Sequence, residues 1–156
     1  MNTHNNKKRL LITGASGFLG KAIIALLENS QSYEIIRSRS AIDDVTDIAV
    51  CNRITKDIDV IINLAGLVLS RAEQQKRPAE VLHTNTIISL NIAEAARKNG
   101  VSKVIFVGSV TAYPENLLPP FKEEDLWSGD VSPGSYSYGI AKRLAGTIAQ
   151  TYQEQY

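Results

Sequence analysis

A glycine-rich segment at residues 13–20, directly after an apolar run at residues 10–12, constrains the fold more than any other feature of the chain. Beyond it, Ile23, Leu26 and Leu27 recur at helical spacing, so the pattern predicts a strand, a tight turn and a helix N-terminus. Helix N-termini carry unpaired N–H groups and a partial positive charge, and they bind anions. The segment is therefore typical of a phosphate-binding turn, although a plain glycine turn has the same pattern.

The three glycines of this segment follow the spacing G-x-x-G-x-x-G, a variant of the more common G-x-G-x-x-G dinucleotide pattern. Gly14 would permit the sharp turn, Gly17 would let the backbone approach a pyrophosphate, and Gly20 would let the helix pack closely against its strand. On this spacing alone, a dinucleotide site and ordinary turn chemistry are supported about equally.

Strand and helix patterns alternate along the rest of the chain. We predict strands at residues 9–13, 33–37, 59–66 (with a small-residue exit) and 104–107, helices at residues 18–29, 78–98 and 135–152, and a long polar loop at residues 113–134. This alternation indicates an α/β fold with a parallel sheet covered on both faces and joined by right-handed crossovers. We predict one domain over residues 9–156, preceded by a flexible tail at residues 1–8.

Composition and charge exclude several classes of function. The 156 residues fit one domain, and a net charge of +1 with well-mixed charges leaves no footprint for nucleic acid. The single cysteine, Cys51, excludes an internal disulfide and fits a reducing compartment. The sequence has no secretory signal pattern and no apolar run of membrane-spanning length. We therefore predict a cytoplasmic domain without a membrane or nucleic-acid partner.

The unusual residues of the chain fall at the predicted carboxyl ends of its strands. Ligands of open parallel sheets bind beyond those ends, where the strand order reverses. The residues concerned are the glycine turn, Arg37 with Arg39, residues 63–66, and Ser109 with Thr111. We expect them to meet in a single cleft.

Arg37 and Arg39 stand where a dinucleotide-binding domain usually carries an acidic residue for the adenosine ribose. A carboxylate there accepts a hydrogen bond from the 2′-hydroxyl of NAD, whereas an arginine pairs with the 2′-phosphate of NADP. The two arginines therefore favour NADP over NAD, and a solvated surface pair is the alternative. In the next segment, Asp44 and Val45 would lie near the adenine amino group or form an acidic turn.

Tyr138 and Lys142 are four residues apart and share one face of the predicted last helix. A cation beside a phenol favours the phenolate, so we expect Lys142 to lower the pKa of Tyr138. The pair would then serve as a general acid/base for a sugar or alcohol hydroxyl, with Ser109 holding the same oxygen. Without the preceding glycine turn and serine-tipped strand, such a pair would indicate only an exposed helix face.

Together these features resemble the extended short-chain dehydrogenase/reductase family, in its NAD-dependent epimerase/dehydratase group. The matching positions follow one another over nearly the whole chain: the turn at residues 13–20, Asn63-x-Ala65-Gly66, Asn85, Ser109 before Tyr113, and Tyr138-x-x-x-Lys142. The segments at residues 37–39, 113–114 and 123–138 look most like the GDP-L-fucose synthase branch, whose members act on a 4-keto nucleotide sugar with NADPH.

The resemblance implies a Rossmann-type, doubly wound sheet that binds NADP or NAD. It assigns Tyr138 as the acid/base, Lys142 to the nicotinamide ribose and to lowering the tyrosine pKa, and Ser109 to the substrate oxygen. The positions implied for cofactor contact are Gly14, Ser16, Gly17, Phe18, Leu19, Gly20, Arg37, Arg39, Asp44, Val45, Leu64, Ala65, Gly66, Asn85, Tyr138 and Lys142. Those implied for substrate contact are Ser109, Val110 and Thr111, and no metal ligand is implied.

Two departures from the family pattern bear on activity. Thr111 stands where the synthase branch carries a cysteine used in epimerisation, so the resemblance does not carry over the epimerase half-reaction. Family members also continue into a further strand and a C-terminal lobe for the sugar nucleotide, whereas this chain stops at Tyr156. We interpret it as the N-terminal cofactor half of a longer enzyme, either a fragment or a truncated gene product.

The function that we predict is that of an NAD(P)-dependent nucleotide-sugar epimerase/reductase, in which hydride passes between nicotinamide and a sugar carbon. Its partner would be a nucleotide sugar, and a homodimer through the last helix is left open. The alternatives are a cofactor-binding module without turnover, because the substrate lobe is absent, or a related ketone reductase or sugar dehydratase. A dehydratase would need acidic residues just after Ser109, which Val110 and Thr111 do not supply.

Overall fold

A computed structural model describes residues 7–39 and 41–156. Strands and α-helices alternate along this part of the chain. The strands are β1 (Lys8–Thr13), β2 (Tyr33–Arg37), β3 (Val60–Asn63) and β4 (Lys103–Phe106), and the helices are α1 (Phe18–Leu27), α2 (Ile48–Ile54), α3 (Arg71–Lys76), α4 (Pro78–Lys98) and α5 (Tyr136–Gln155). Short 3₁₀ helices at Val110–Ala112, Glu123–Trp127 and Pro133–Ser135 lie in the connection between β4 and α5.

The predicted strands and long helices are present, with shifts of a few residues at their ends. β2 matches its prediction at both ends, whereas α1 ends early because Ser30 N–H donates to Leu27 O at 2.9 Å in a turn. α2 and α3 are not predicted, because each is too short for helical periodicity to be visible. The sequence features that could have indicated these two helices are their N-terminal caps. Asp47 caps α2, and Ser70 with Glu73 forms a capping box on α3.

The sheet has the strand order β2-β1-β3-β4. β1 pairs in parallel with β2 on one side and with β3 on the other, so that Ile12 lies opposite Arg37 and Thr13 lies opposite Asn63. From β1 the chain goes to β2 on one side, and it then crosses to β3 and β4 on the other side of β1. The strand order therefore reverses between β1 and β3. This arrangement confirms the predicted α/β class with a doubly wound, Rossmann-type sheet.

The described chain forms two compact units. The first contains the described residues up to Ala65 together with Asn91–Ile105, and the second contains Gly66–Leu90 and Phe106–Tyr156. The buried core of the first unit includes apolar side chains of β1, α1 and β3, namely Leu10, Ile12, Ala15, Ile24 and Val60. In the second unit, α5 packs closely on the 3₁₀ helix after β4, because a Cβ on Gly139 would lie only 2.5 Å from Thr111 O.

The predicted flexible tail falls partly outside the described chain, which omits residues 1–6. The described part of it belongs to the fold: Lys8 begins β1, and Lys7 Nζ donates to Ser30 O at 2.9 Å. The two described residues of the predicted tail therefore contact the fold, and the prediction for residues 1–6 lies outside the described residues. Among the described helices, none combines the length and the apolar character needed to cross a membrane.

Candidate active site

The glycine turn connects β1 to α1 within the first unit. Gly14 has a φ of +64°, a left-handed conformation that favours glycine, and a Cβ there would lie 2.7 Å from the Leu64 carbonyl carbon. Gly17 N–H donates to Gly14 O at 3.0 Å, and a Cβ on Gly20 would lie 2.8 Å from the Ala15 backbone. The turn at Gly14 and the close packing at Gly20 thus have the predicted geometry, while the approach of a pyrophosphate to Gly17 stays a prediction.

The N-terminus of α1 opens directly onto this turn. Its N-cap is Gly17, which provides no side-chain hydrogen bond to the first turn of the helix. The next two side chains are apolar and exposed, Phe18 to 90 % and Leu19 to 49 %. A helix N-terminus without a side-chain cap suits an anionic ligand, and the exposed apolar side chains beside it suit an uncharged part of the same ligand.

Thr13 links the ends of β1 and β3, a role that is not predicted from the sequence. Its buried hydroxyl donates to Asn63 Oδ1 at 2.5 Å. Thr13 Oγ1 also accepts hydrogen bonds from the backbone N–H groups of Leu64 and Ala65, each at 3.2 Å. Thr13 thereby fixes the backbone of two predicted cofactor residues close to the glycine turn.

Arg37 and Arg39 follow β2, and the structure pairs each of them with a carboxylate. Arg37 contacts Glu28 at 2.9 Å in an exposed pair at the end of α1. Arg39 donates its backbone N–H to Asp43 Oδ2 at 2.7 Å, and its Nε lies 3.6 Å from the same oxygen. Asp43 Oδ1 accepts a hydrogen bond from Arg53 at 2.9 Å. The two predicted arginines therefore belong to different ion pairs, and Arg53, which the sequence pattern does not indicate, joins Arg39.

The Asp43 carboxylate at the centre of this cluster is buried and ionised. Burial by itself would raise the pKa of Asp43, but the hydrogen bonds from Arg39 and Arg53 and the charges of both arginines oppose it. The balance lowers the pKa of this carboxyl below its ordinary value of 3.8. Asp43 is therefore a fixed negative charge at neutral pH.

The segment at residues 44–47 is held by its own side chains and by Asn91. Asp44 Oδ1 accepts hydrogen bonds from the Thr46 N–H and hydroxyl, and these bonds lower the pKa of Asp44 against the opposing effect of burial. The Asn91 amide donates to the carbonyl oxygens of Val45 at 3.3 Å and Thr46 at 2.8 Å. Asp44 therefore forms the acidic turn named above as an alternative, and its contact with adenine stays a prediction.

Cys51 lies behind the same segment. Its thiol donates to Val45 O at 3.3 Å and is fully buried. Burial, with a smaller effect of the nearby Asp47 and Asp44 carboxylates, raises the pKa of the Cys51 thiol to about 12. A neutral, buried thiol is a packing group and not a nucleophile.

Asn85 is buried in the second unit, and its side-chain amide is used within the chain. Nδ2 donates to Val81 O at 2.8 Å and to Leu67 O at 3.0 Å, while Oδ1 accepts from Leu67 N–H at 3.0 Å. A Cβ on Gly66 would lie 2.8 Å from the same Oδ1. Asn85 thus positions the backbone that follows Gly66, and its own contact with a cofactor stays a prediction.

Ser109 caps the 3₁₀ helix Val110–Ala112 that follows β4. Its Oγ accepts from Thr111 N–H at 3.2 Å and lies 2.8 Å from Thr111 Oγ1. Val110, between them, is 65 % exposed. The two hydroxyls predicted to contact substrate therefore form one hydrogen-bonded pair.

Tyr138 and Lys142 lie one turn apart on α5, as their spacing predicts. Lys142 Nζ donates to Val107 O at 3.0 Å and lies 5.6 Å from the centre of the Tyr138 ring. The predicted lowering of the tyrosine pKa is wrong for the protein without ligand, because burial raises the pKa of Tyr138 and lowers the pKa of Lys142. At neutral pH the Tyr138 phenol is therefore protonated.

Arg143, the residue after Lys142, braces the loop between β4 and α5 and is not predicted from the sequence. It is 4 % exposed. Its guanidinium donates to Ala112 O at 2.6 Å and to Gly129 O at 2.9 Å, and it lies 5.0 Å from the ring centre of Trp127. The segment that carries Ser109 is thus tied to α5 through a buried cation.

A pocket of about 460 Å³ opens beside α5 in the second unit. Its lining includes Ser109, Tyr113, Trp127, Lys142 and Arg143. This volume falls within the range of about 300–1,000 Å³ that is usual for small-molecule sites. The pocket therefore has room for a sugar ring beside two of the three predicted catalytic residues, whereas the single cleft expected for all of the predicted residues stays a prediction.

Comparison with known proteins identifies the family of the chain. Residues 10–156 match the model of the NAD dependent epimerase/dehydratase family. The chain belongs to this family. It is 30% identical over 150 residues to a GDP-L-fucose synthase of Sinorhizobium fredii and 31% identical over 153 residues to one of Escherichia coli. These alignments cover 96% and 97% of this chain but 48% of each relative, so the chain spans about half the length of the curated relatives it matches.

Solved structures of nucleotide-sugar enzymes share the fold. The chain superposes with a TM-score of 0.90 and 26% identity on a GDP-D-glycero-L-gluco-heptose synthase from Campylobacter jejuni, solved in the presence of NADPH. It superposes with a TM-score of 0.89 and 26% identity on a GDP-mannoheptose C4 reductase from the same organism with NADP bound. The two superpositions each cover 99% of this chain, and they cover 46% and 49% of the respective solved chains. The predicted family and fold class are confirmed.

Proposed function

We propose that the chain binds NADP(H) and forms the cofactor half of a nucleotide-sugar reductase. The observation that carries the proposal is the placement of Lys142, 3.0 Å from Val107 O and 5.6 Å from the Tyr138 ring centre, in one compact unit with Ser109. The support from relatives is that the similar proteins named above are GDP-sugar enzymes. Since the chain spans about half of them, turnover by this chain is part of what is proposed.

The glycine turn fits a dinucleotide diphosphate. Side chains at Gly14 or Gly20 would occupy space that the backbone takes up, and α1 begins without a side-chain cap, so backbone N–H groups are available to an anion. When bound, the nicotinamide supplies the hydride. The residues proposed to hold the dinucleotide are Gly14, Ser16, Gly17, Phe18, Leu19, Gly20, Arg37, Arg39, Asp44, Val45, Leu64, Ala65, Gly66, Asn85, Tyr138 and Lys142.

Tyr138 is proposed to donate the proton to the oxygen of a sugar ketone. Its raised pKa keeps the phenol protonated at neutral pH, which is the form that reduction of a ketone requires. Ser109 would bind the same oxygen through the hydroxyl that now contacts Thr111. Lys142 would donate to the ribose next to the reacting ring.

Thr111 favours reduction over epimerisation. Epimerisation beside a keto group requires a base that removes a C–H proton, and an aliphatic hydroxyl does not act as one without a partner that activates it. The Thr111 hydroxyl is paired with another hydroxyl, that of Ser109, at 2.8 Å. We therefore propose reduction of a 4-keto nucleotide sugar as the reaction.

The test compares the full chain with Tyr138→Phe. NADPH binding is measured by fluorescence, and turnover of a GDP-4-keto-hexose is measured by loss of NADPH absorbance. We expect both proteins to bind NADPH and the variant to turn over about 10²–10⁴-fold more slowly, because it lacks the proton donor.

Tyr136→Phe is the matched control, since this exposed tyrosine lies on the same helix. It should keep wild-type turnover. If the wild type and Tyr138→Phe both bind NADPH and neither turns over the keto sugar, the chain is a cofactor-binding module. If neither binds NADPH or NADH, the dinucleotide proposal fails.

A further inference from the structure

We propose that Gly139 and Arg143 are positioning residues that set the place of the Ser109 hydroxyl relative to the Tyr138 phenol. This inference rests on the proposed function, because it concerns the two groups proposed to bind the sugar ketone. Neither positioning residue belongs to the sequence pattern that predicts the site. Together they give a role to a second face of α5, beside the face that carries Tyr138 and Lys142.

Two pairs of residues on α5 are offset by one position. Gly139 and Arg143 are four residues apart, so they share one face of the helix. This face is turned into the protein, since Gly139 is buried and Arg143 is only 4% exposed. Tyr138 and Lys142 have the same spacing one residue earlier, about 100° around the helix. Contacts that fix the buried face therefore also fix the direction of the neighbouring pair.

Gly139 lets α5 approach both ends of the loop between β4 and α5. A Cβ on Gly139 would lie 2.5 Å from Thr111 O and 3.2 Å from Val131 Cγ1. Thr111 belongs to the 3₁₀ helix that Ser109 caps, and Val131 is buried where the loop bridges back to Pro114. Because ordinary contacts begin at 3.4 Å, a side chain on Gly139 would have to move the Thr111 carbonyl by about 1 Å.

Arg143 holds the same two ends of the loop by hydrogen bonds. Its Nε donates to Ala112 O at 2.6 Å, and its Nη2 donates to Gly129 O at 2.9 Å. Ala112 ends the 3₁₀ helix, and Gly129 lies two residues before Val131. Because a guanidinium is planar and rigid, its two bonds fix the carbonyl oxygens relative to each other and to α5. Gly139 thus sets how closely the loop approaches the helix, and Arg143 sets its position along the helix.

Ser109 is joined to the 3₁₀ helix by hydrogen bonds of its own. Its Oγ accepts from Thr111 N–H at 3.2 Å, and its carbonyl oxygen accepts from Ala112 N–H at 3.0 Å. The Ser109 hydroxyl therefore moves with the 3₁₀ helix, whereas the Tyr138 phenol moves with α5. A misplacement of about 1 Å between such groups is enough to slow a reaction about a hundredfold. The contacts of α5 with the 3₁₀ helix thus bear directly on the rate of the proposed reaction.

The first experiment measures turnover of a GDP-4-keto-hexose by the full chain and by Gly139→Ala. We expect kcat to fall about tenfold to a hundredfold, because the Cβ displaces the 3₁₀ helix that carries Ser109. The Kd of NADPH should change by less than about twofold. Gly146→Ala is the matched control, since it lies on the same helix and a Cβ there meets nothing within 4 Å. Equal values of kcat in the two variants would overturn the inference.

A double-mutant cycle with Ser109→Ala separates positioning from general support of the fold. If Gly139 acts through the Ser109 hydroxyl, Gly139→Ala should lower kcat by less than about twofold once that hydroxyl is absent. If the two losses instead multiply, Gly139 acts independently of Ser109 and the inference fails.

Arg143→Lys is a second variant that does not depend on whether the fold tolerates a Cβ at Gly139. An ammonium keeps the positive charge but lacks the planar fork that reaches both carbonyl oxygens. We expect its kcat to lie between those of the wild type and Arg143→Met, with the same loss of effect in the Ser109→Ala background. Wild-type kcat in folded Arg143→Met would overturn the role of Arg143.

Crystal structures of the wild type and Gly139→Ala give a readout that does not need turnover. The Ser109 Oγ should be displaced by about 1 Å relative to the Tyr138 hydroxyl in the variant. An unchanged position would overturn the inference. A wild type that binds NADPH without turnover would overturn the proposed reaction alone, because this displacement would still decide whether Gly139 positions Ser109.

Discussion

The loop after β2 and the site on α5 differ in how their polar groups are held. In the loop, Asp43 binds Arg39 and Arg53, four and ten residues away. On α5, Lys142 reaches a carbonyl 35 residues away and Arg143 reaches one 31 residues away. The loop after β2 is thus held by local contacts, whereas the α5 region depends on contacts with the long loop between β4 and α5.

The two regions also differ in charge. Hydrogen bonds and neighbouring arginines lower the pKa of Asp43 despite its burial, so that group is fully charged. Burial raises the pKa of Tyr138 and lowers the pKa of Lys142, so it favours the neutral form of both. The loop therefore holds a charged carboxylate between two arginines, whereas burial favours neutral side chains in the α5 pair.

The largest effect should come from the glycine turn, the most constrained part of the locally built region. Gly14→Ala should lower the free energy of unfolding by about 3–5 kcal/mol and abolish NADPH binding, because its Cβ would meet the Leu64 and Ala65 backbone. Gly100→Ala is the control, since Gly100 has a similar φ of +68° but nothing within 4 Å. Gly100→Ala should lower the free energy of unfolding, measured in urea, by only about 1–2 kcal/mol. Equal costs would show that φ alone matters at Gly14.

A smaller effect should come from the buried cation that supports the α5 region. Arg143→Met removes the donors to Ala112 O and Gly129 O, so the free energy of unfolding should fall by about 2–4 kcal/mol. Trp127 is the only tryptophan and lies against Arg143, so its emission should shift in the folded variant.

Arg37→Met is the control for that prediction, because it breaks an exposed ion pair with Glu28. Arg37→Met should lower the free energy of unfolding by no more than about 1 kcal/mol, and it should leave the Trp127 emission unchanged. Similar losses in the two variants would contradict the dependence of the second region on Arg143.

The smallest effect concerns the charge of Asp43. Because its pKa is lowered by folding, its contribution to stability is present above the ordinary value of 3.8 and is lost as the pH falls through the folded-state pKa. Between about pH 5 and pH 3, the free energy of unfolding measured in urea should therefore fall by about 1 kcal/mol less for Asp43→Asn than for the wild type. The exposed control Asp130→Asn should follow the wild-type pH profile, and an identical profile for Asp43→Asn would contradict the prediction.

The elements and the family are predictable because their signals lie within short windows of sequence. The apolar run before the glycines indicates β1 and α1, and the spacing of Tyr138 and Lys142 places them one turn apart on α5. α/β class and family membership follow from the order of these signals. α2 and α3 contain seven and six residues, too few for periodicity, so only their caps could reveal them.

The partners of the site residues are not predictable in this way, because they depend on tertiary contacts. Thr13 binds Asn63, 50 residues away, and Arg143 binds carbonyls of a distant loop. The predicted pKa of Tyr138 is wrong because its spacing from Lys142 indicates a neighbour but says nothing of burial.

The buried thiol of Cys51 makes the chain a convenient host for spectroscopic labels. With a pKa of about 12 and no exposure, Cys51 stays neutral and out of reach of thiol-directed dyes at neutral pH. A cysteine introduced at exposed Lys56 would then be the sole reactive position in the folded protein. A fluorophore attached there would follow events near Arg53 with the native cysteine left in place.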